Sequence, residues 1–367
     1  MMKNKISEPL LFEPVLKEKV WGGDALGRKL NKPLPPKKAI GESWEICGID
    51  NECSVIRSGS FAGASLNSLY SLDSKSLVGS LSNNSSFPLL VKFIDARDNL
   101  SVQVHPGDVQ SRQKNWSIRG KTECWYVVEA QENTKIIAGF NRNVSKEEVI
   151  QAIENQSLHE LLNFLPVKNG DVLFIPAGTV HAIMNGTFVY EVQESSDTTL
   201  RLYDWGRTDS EGKSRKLHIK EALDVITTKY QHNLIINPVT LEIEDGVKHL
   251  YRAVCRYFAL EQFVFSKDTS ISLEPKQSFR IISSIEQDAE LIYDDGSITI
   301  KKGQTVLLPA SLKHVKLEAP KNANLLLSSV PDIKKEITDP LINYGISSES
   351  IALLGGDKDH NDLLQYL

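Results

Sequence analysis

The stretch GDVLFIPAGTVH (170–181) decides how the chain is interpreted, because it recurs in similar form as GQTVLLPASLKH (303–314). The glycine, proline, alanine and histidine keep their spacing in both copies. A glycine turn, a short apolar strand, a proline that ends strand pairing and a histidine just beyond it are typical of a β-hairpin corner. Four matching positions in twelve residues favour an internal duplication that uses this corner twice.

The rest of the chain supports a mainly β fold. Short apolar or alternating runs recur between Gly, Pro, Asn and Asp, as in FPLLVKFIDA (87–96), ECWYVVEA (123–130) and TFVYEVQE (187–194). Such runs at regular spacing predict an all-β sandwich or barrel.

Helical signals are fewer and shorter. Serine–glutamate capping boxes at Ser145 and Ser157 predict two short helices, and residues 218–230 have helical spacing. The Ser- and Leu-rich segment 64–86 predicts a short helix followed by a mobile loop.

Together these patterns divide the chain into three parts. We expect an N-terminal β domain with helical insertions over 1–235, and a second, weaker β domain over 236–330. Residues 331–367 have the character of an appended tail with a short helix near its end.

Composition excludes several function classes. The chain has 367 residues, 41% hydrophobic and 24% charged, which is typical of a folded globular protein. Its net charge of −5 argues against a nucleic-acid partner, so a phosphorylated ligand would need a local pocket. No apolar run is long enough to cross a membrane, and the lysine-dotted start does not have a signal-peptide core, so we expect a cytoplasmic protein. The four cysteines show no disulfide or CxxC pattern and are expected to be reduced thiols.

Two strands carry polar side chains on one face. In SVQVH, strand alternation places Ser101, Gln103 and His105 on the same side. Lys121 and Glu123 have the same spacing, which puts an ammonium group and a carboxylate side by side. A polar row facing a β interior is costly unless something occupies it.

The histidine at the first corner completes a candidate metal site. Gln103, His105, Glu123 and His181 offer two imidazoles, a carboxylate and an amide oxygen, a set suited to Zn²⁺ with one position open. A single histidine is more often structural, but these residues come from three separate strands. His314 has the corner without such neighbours, so we expect a metal in the first β domain only.

A further cluster surrounds an arginine in TTLRLYDW. Alternation places Thr199, Arg201 and Tyr203 on one strand face. Two interpretations stay open at this point: Arg201 pairs with Asp197 or Glu191, or its guanidinium stabilises an oxyanion or a phosphate.

These motifs resemble those of a known family, type I mannose-6-phosphate isomerases in their short bacterial form. The resemblance rests on SVQVHP, GKTECWYV, GDVLFIPAGTVHAI and SDTTLRLYDWGR, with VWGG (20–23) and GESWEI (41–46). It is strongest over 20–207 and extends more weakly to about 330. It implies two cupin-type jelly-roll barrels with short inserted helices, the C-terminal one degenerate and without metal. It also implies one zinc ion per chain and interconversion of mannose 6-phosphate and fructose 6-phosphate.

The resemblance also implies residue roles. The zinc ligands fall on Gln103, His105, Glu123 and His181, although a water molecule can take the place of the glutamine in short members. The catalytic residues fall on Arg201, Lys121, Glu191 and Asp197. Isomerisation moves a proton from C2 to C1 through a cis-enediolate, and we favour Glu191 over Lys121 as the base. The tail 331–367 has no recognised counterpart.

Other functions stay open at the level of sequence. Another metal-dependent cupin enzyme acting on a sugar phosphate, such as an epimerase or an oxygenase, would use a similar site. A sugar-phosphate sensor without turnover is a third hypothesis. In each case we expect a hexose 6-phosphate ligand and no membrane partner, while the sequence does not decide between a monomer and a homodimer.

Overall fold

We describe a computed structural model of the chain, which covers residues 6–117, 119–208, 212–232 and 234–367. The first five residues of the start segment considered above lie outside the described residues. The strands of the N-terminal half are β1 (Leu10–Glu13), β2 (Val15–Gly23), β3 (Ile40–Ile46), β4 (Val55–Ile56), β5 (Leu89–Ala96), β6 (Val102–Val104), β7 (Glu123–Ala130), β8 (Lys135–Phe140), β9 (Leu162–Pro166), β10 (Val172–Ile175), β11 (His181–Ile183), β12 (Thr187–Glu194) and β13 (Leu200–Tyr203).

The strands of the C-terminal half are β14 (Val239–Glu244), β15 (Val247–Val254), β16 (Ala259–Phe265), β17 (Thr269–Leu273), β18 (Arg280–Glu286), β19 (Ala289–Tyr293), β20 (Gly296–Ile300), β21 (Thr305–Leu308), β22 (Val315–Ala319) and β23 (Asn324–Ser329). The helices are α1 (Ala25–Leu30), α2 (Leu66–Val78), α3 (Asp108–Gln113), α4 (Lys146–Glu154), α5 (Ile219–Val225), α6 (Asp339–Asn343) and α7 (Ser348–Leu353).

The N-terminal half is built from two packed sheets. One has the strand order β10-β7-β12-β5-β3-β2 and the other β13-β6-β11-β8-β9. Apolar side chains from both sheets, including Trp125, Val189, Ala138 and Ile183, form the core between them. This sandwich arises because strand alternation gives each sheet an apolar face that packs against the other sheet.

The C-terminal half repeats this arrangement. Its larger sheet runs β14-β15-β16-β23-β18-β21-β1-β4 and its smaller sheet β17-β22-β19-β20. Phe263, Ile282, Leu291 and Leu317 belong to the core that joins them. The order β21-β18-β23-β16-β15-β14 matches β10-β7-β12-β5-β3-β2 strand for strand, and β17-β22-β19-β20 matches β6-β11-β8-β9. The strand orders therefore support the duplication predicted from the repeated corner.

The mainly β prediction is confirmed. In the part of the chain that the structure describes, the four sheets are open, with two edges each. The closure of each half into a jelly-roll barrel therefore stays a prediction.

A third core joins the two halves. Phe93 and Tyr190 of the six-stranded sheet belong to the same cluster as Leu260 and Ile281 of the eight-stranded sheet. The N-terminal strand β1 also pairs with β21 of the other half. The domain boundaries near 235 and 330 stay a prediction. The two halves on either side of residue 235 share a core and a sheet.

Residues 331–367 are packed into the body of the protein. They form a π-helical turn (Ile333–Thr338), then α6, α7 and two short 3-10 turns. Their apolar side chains join the core between the halves, with Ile337, Leu341, Ile351, Leu354 and Leu363 fully buried. The interpretation of 331–367 as an appended tail stays a prediction, to which the structure adds that its apolar side chains are part of the core.

The helix predictions had mixed outcomes. The capping box at Ser145 is confirmed, since its hydroxyl accepts the Glu148 N–H at 3.1 Å and the Glu148 carboxylate accepts the Ser145 N–H at 2.7 Å. The one at Ser157 is wrong: a single 3-10 turn follows, and the chain then enters β9, which pairs with β8. The helix predicted over 218–230 ends at Val225, and 64–86 contains α2. Within the described ranges, no helix is both long and apolar enough to cross a bilayer.

Candidate metal centre and active site

One wall of the candidate site lies on the five-stranded sheet. Gln103 sits on β6, with His181 opposite it on β11 and Arg201 opposite it on β13. The polar row predicted from strand alternation is therefore completed by residues far apart in sequence.

The opposite wall lies on the six-stranded sheet. Glu123 begins β7, and Glu191 on β12 is flanked in register by Trp125 and Lys92. Because the two sheets pack face to face, these side chains meet those of the first wall in the sandwich interior.

Three side chains converge on one point. The nearest ligand atoms of His105, Glu123 and His181 all lie within 4.8 Å of one another, and each residue is about 1% exposed. Glu123 Oε1 is 3.2 Å from His181 Nε2, and Glu123 Oε2 is 3.5 Å from His105 Nε2. The carboxylate thus faces both imidazoles at once.

Both imidazoles are oriented by the backbone. The Nδ1–H groups of His105 and His181 donate to the carbonyl oxygens of Thr198 and Thr179, each at 2.8 Å. This leaves both Nε2 lone pairs directed at the centre, as in metal-ligating histidines. Burial lowers the pKa of His181 to about 3 and that of His105 well below its usual value, so both rings are neutral.

The donor set fits a divalent cation. Neither carboxylate oxygen of Glu123 has a hydrogen-bond partner among the described residues. Lys121 Nζ, 2.8 Å from Oε2, compensates only part of this buried charge. A cation between the carboxylate and the two imidazoles would supply the rest. The Gln103 amide lies 3.3 Å from His181 Nε2 and 3.5 Å from His105 Nε2. A half-turn of that amide presents its oxygen to the same point.

Lys121 brings a positive charge to this centre. Its Nζ lies 2.8 Å from Glu123 Oε2 and 2.8 Å from His105 Nε2, and the side chain is 4% exposed. The pairing of Lys121 with Glu123 that the sequence suggested is therefore present.

Glu191 is held from two sides. Its Oε1 lies 2.9 Å from Lys92 Nζ, and its Oε2 accepts the indole N–H of Trp125 at 2.9 Å. Burial raises the pKa of Glu191 more than the Lys92 ammonium lowers it. A carboxylate with a raised pKa in a cavity has the properties of a proton-transfer group.

Lys92 is a site residue that the motifs did not reveal. Burial disfavours its charge, but the carboxylates of Glu191 and Glu42 outweigh burial and raise the pKa of Lys92 above its usual value. The available signal was a single lysine inside the apolar run of β5, a position where an unpaired charge would be costly.

Arg201 stands at the edge of the centre. Its Nη1 donates to the Lys216 carbonyl at 3.0 Å, while its buried Nε has no partner among the described residues. Burial and the neighbouring Arg215 lower the pKa of Arg201, although it stays a cation. In the described chain neither Asp197 nor Glu191 forms an ion pair with it, and Asp197 is exposed.

These residues surround one cavity with about 580 Å³ of empty space, part of it open to solvent. Of the predicted site residues, the structure places these in its lining: Gln103, Lys121, Glu123, His181, Glu191, Asp197 and Arg201. His105 lies directly behind them in the metal cluster. The cavity is also lined by Lys92, Glu42, Trp125 and Arg215, which the sequence motifs did not single out.

A buried His–Glu–His cluster inside a two-sheet sandwich forms a candidate metal-binding site of the cupin type. Comparison with known proteins agrees with this class. Residues 10–138 match the family model for the phosphomannose isomerase type I catalytic domain, and 248–329 match that for the mannose-6-phosphate isomerase cupin domain.

Relatives share most of the chain. The mannose-6-phosphate isomerase ManA of Bacillus subtilis is 38% identical over 319 residues, 85% of this chain and 96% of that protein. The mannose-6-phosphate isomerase of Streptococcus mutans is 34% identical over 84% of this chain and 94% of its own length. The crystal structure of the Bacillus subtilis mannose 6-phosphate isomerase superposes with a TM-score of 0.79 at 31% identity, covering 88% of this chain and 99% of that one. The chain belongs to the type I mannose-6-phosphate isomerase family.

Proposed function

We propose that this chain is a zinc-dependent aldose–ketose isomerase that interconverts mannose 6-phosphate and fructose 6-phosphate. The observation that carries the proposal is the combination, in one cavity, of a candidate metal cluster with Glu191 and Arg201. Family membership supports the choice of substrate.

Zinc is the proposed metal because two neutral imidazoles, a carboxylate and an amide oxygen suit it. His105, Glu123 and His181 would hold it, with Gln103 or water as a fourth ligand. When bound, the metal supplies Lewis-acid stabilisation of negative charge on the sugar oxygens.

We assign the proton transfer to Glu191. Its raised pKa favours taking the proton from C2 of the open-chain sugar and returning it at C1. Lys92 and Trp125 fix both carboxylate oxygens, which orients the group toward the cavity. This placement supports Glu191 as base over Lys121, whose ammonium is already engaged by Glu123.

The remaining residues act on charge and orientation. Arg201 stabilises the negative charge that develops on the enediolate, since its unpartnered Nε is available to an oxygen of the substrate. Lys121 moves hydroxyl protons or assists ring opening. Asp197, exposed at the cavity rim, positions sugar hydroxyl groups.

We further infer that each pair of sheets closes as a cupin-type jelly roll, that the enzyme works in the cytoplasm, and that it has no nucleic-acid or membrane partner.

A coupled assay that follows fructose 6-phosphate tests the function. We expect turnover of mannose 6-phosphate that a chelator abolishes and added Zn²⁺ restores. Binding without turnover would instead indicate a sensor, and epimerised sugar as the product would indicate another cupin enzyme.

Solvent exchange tests the base. In ²H₂O, the wild-type protein should introduce deuterium at the transferred position, whereas Glu191→Gln should not, with its metal content unchanged. Exposed Glu160→Gln is a matched control that should behave like wild type. Normal exchange in Glu191→Gln would move the role of base to Lys121.

A further inference from the structure

The C-terminal half encloses a larger cavity than the metal centre. It holds about 1550 Å³ of empty space, part of it open to solvent. Strands of both C-terminal sheets line it, and so do residues of the segment 331–367, such as Glu336. The cavity therefore lies in the half that was expected to be degenerate.

One wall of this cavity is aromatic. His249 and Tyr251 lie on the same face of β15, and Phe263 is paired with His249 on β16. The ring centroid of His249 is 4.4 Å from that of Tyr251 and 4.5 Å from that of Phe263. The planes of His249 and Phe263 are 25° apart and those of His249 and Tyr251 are 33° apart, so the rings pack against one another. Together they form one continuous aromatic wall, which suits the apolar C–H groups of a flat ligand.

The two fully buried charges of this cavity, on Glu261 and Arg280, already have protein partners. Buried Glu261 accepts from Lys276 Nζ at 2.6 Å and from His249 Nε2 at 2.8 Å. Arg280 donates to the carbonyl oxygens of Glu274 and Leu312 at 3.1 and 3.0 Å. A phosphate would have to compete with these partners, so an uncharged ligand is favoured.

The charge balance of the lining leads to the same conclusion. Basic and acidic side chains are equal in number, namely Lys276, Arg280, Lys316 and Lys335 against Glu244, Glu261, Glu274 and Glu336. The lining thus presents donors and acceptors without a net charge for an ion to neutralise.

Two polar groups of the lining are unsatisfied. The Tyr251 side chain is 94% buried, and no described residue bonds its hydroxyl. Oε2 of Glu336 is buried and also has no hydrogen-bond partner among the described residues. A hydroxyl donor and a carboxylate acceptor left over in one cavity suit a ligand that carries hydroxyl groups itself.

We propose that this cavity is a second small-molecule site, which binds an uncharged monosaccharide against the aromatic wall of His249, Tyr251 and Phe263. The sugar ring packs against this wall, and its hydroxyl groups bond the Tyr251 hydroxyl and the Glu336 carboxylate. This site is separate from the metal centre and does not depend on the isomerase activity.

Saturation-transfer NMR on the full chain tests the site, with methyl α-D-mannopyranoside as the probe. This sugar has no phosphate and cannot open its ring. We expect wild type to bind it, and Tyr251→Phe to weaken binding by about two- to tenfold through the loss of one hydrogen bond. Tyr230→Phe, which removes the same atom from an exposed tyrosine, should bind like wild type.

Three results would overturn the proposal. The first is that the probe does not bind wild type, and the second is that it binds wild type and Tyr251→Phe equally. The third is that mannose 6-phosphate displaces the probe fully and that Arg201→Ala does not bind it. The last would place the sugar at the metal centre. Thermal unfolding checks that Tyr251→Phe folds. If it does not, Glu336→Gln, which alters the other group that bonds the sugar, replaces it.

Discussion

The two halves of the molecule share a strand order and differ in the charges that they bury. In the first half, the residue opposite Ile175, just before the corner proline, is Glu123 of the metal cluster. In the second half, the residue opposite Leu308, just before the equivalent proline, is Arg280. A carboxylate that can hold a cation is thus replaced by a guanidinium that repels one.

A second pair of equivalent positions shows the same reversal. Lys92 pairs with Glu191 in the first half, and Glu261 pairs with Leu327 in the second. The shared strand order therefore places buried charged residues at equivalent positions in both halves. The sequence of each half determines whether the charge is positive or negative. Strand order alone does not predict a metal site, and the expectation of no metal in the second half stays a prediction that Arg280 supports.

The largest loss of stability should come from deleting residues 331–367, whose apolar side chains are part of the core between the two halves. Deletion of 331–367 takes away five fully buried apolar side chains, worth about 1.5–3 kcal/mol each. Their sum is comparable to the whole stability of a typical domain, about 5–15 kcal/mol. We expect no folded protein by circular dichroism.

A shorter deletion serves as the control. Residues 364–367 are exposed, so their removal should leave a folded, active protein. Cooperative unfolding and normal activity of the longer truncation would show that the segment is an accessory after all.

The corner histidines allow a direct comparison of the halves. His181→Ala should lose metal by elemental analysis and should lose activity by about 1000-fold or more, because metal ions supply several kcal/mol of transition-state stabilisation. His314→Ala alters the equivalent residue, which is exposed, and should change neither. Full metal occupancy in His181→Ala would remove this residue from the ligand set.

Arg201 separates charge stabilisation from metal binding. Arg201→Ala should lower kcat by about 100- to 1000-fold, the range for loss of one oxyanion-stabilising donor. Its metal content should match wild type, as should every property of the exposed control Arg142→Ala. Near-normal turnover in Arg201→Ala would contradict the assigned role.

Arg280 tests whether the second set of charges is structural. Arg280→Met removes hydrogen bonds to buried backbone carbonyls and should lower the free energy of unfolding by about 2–3 kcal/mol in urea titrations. Exposed Arg142→Met should cost little. An unchanged midpoint in Arg280→Met would show that the buried guanidinium contributes nothing to stability.

Two buried glutamates should respond to pH in opposite ways. Burial opposes the charge of Glu261, but Lys276 and His249 outweigh it and lower its pKa to about 2. Its folded pKa is below the unfolded value, so its contribution to stability is present above about pH 4.5 and is lost as the pH falls toward 2.

Glu194, in the first half, behaves in the reverse sense. Burial, assisted by Asp108, raises its pKa to about 8. The contribution of Glu194 to the free energy of unfolding is therefore fully present below about pH 4.5 and is lost as the pH rises through 8. The free energy of unfolding should be measured from pH 2 to 9. Glu261→Gln should remove the loss of stability at acid pH, and Glu194→Gln should remove the loss of stability at alkaline pH. Parallel profiles for both variants and wild type would contradict these shifts.

Much of the candidate site could be predicted because its residues stand in local patterns. Gln103 and His105, like Lys121 and Glu123, are two positions apart on one strand, and His181 ends a recognisable corner. The sequence motifs did not reveal Lys92 and Trp125, because each is a single polar or amphipathic residue in an apolar run. Their roles depend on strand pairing with β12.

The fold class followed from strand periodicity, whereas individual helices depended on tertiary contacts. Ser157 begins a good capping pattern, but β8 offers an edge that the following residues occupy as a strand. The burial of 331–367 could not be predicted either, because its short apolar stretches gain their core only from sheets formed by the rest of the chain.

The pairing of β1 with β21 also constrains the order of events during synthesis. Leu10 is opposite Leu307, 297 residues further along the chain. At roughly 5–20 residues per second, the ribosome needs about 15–60 s to make that partner. Until then the edge of β1 that later receives β21 is unpaired and apolar, although β4 can already pair with the other edge. The nascent chain is therefore most open to chaperones and to aggregation while its metal-binding half is already complete.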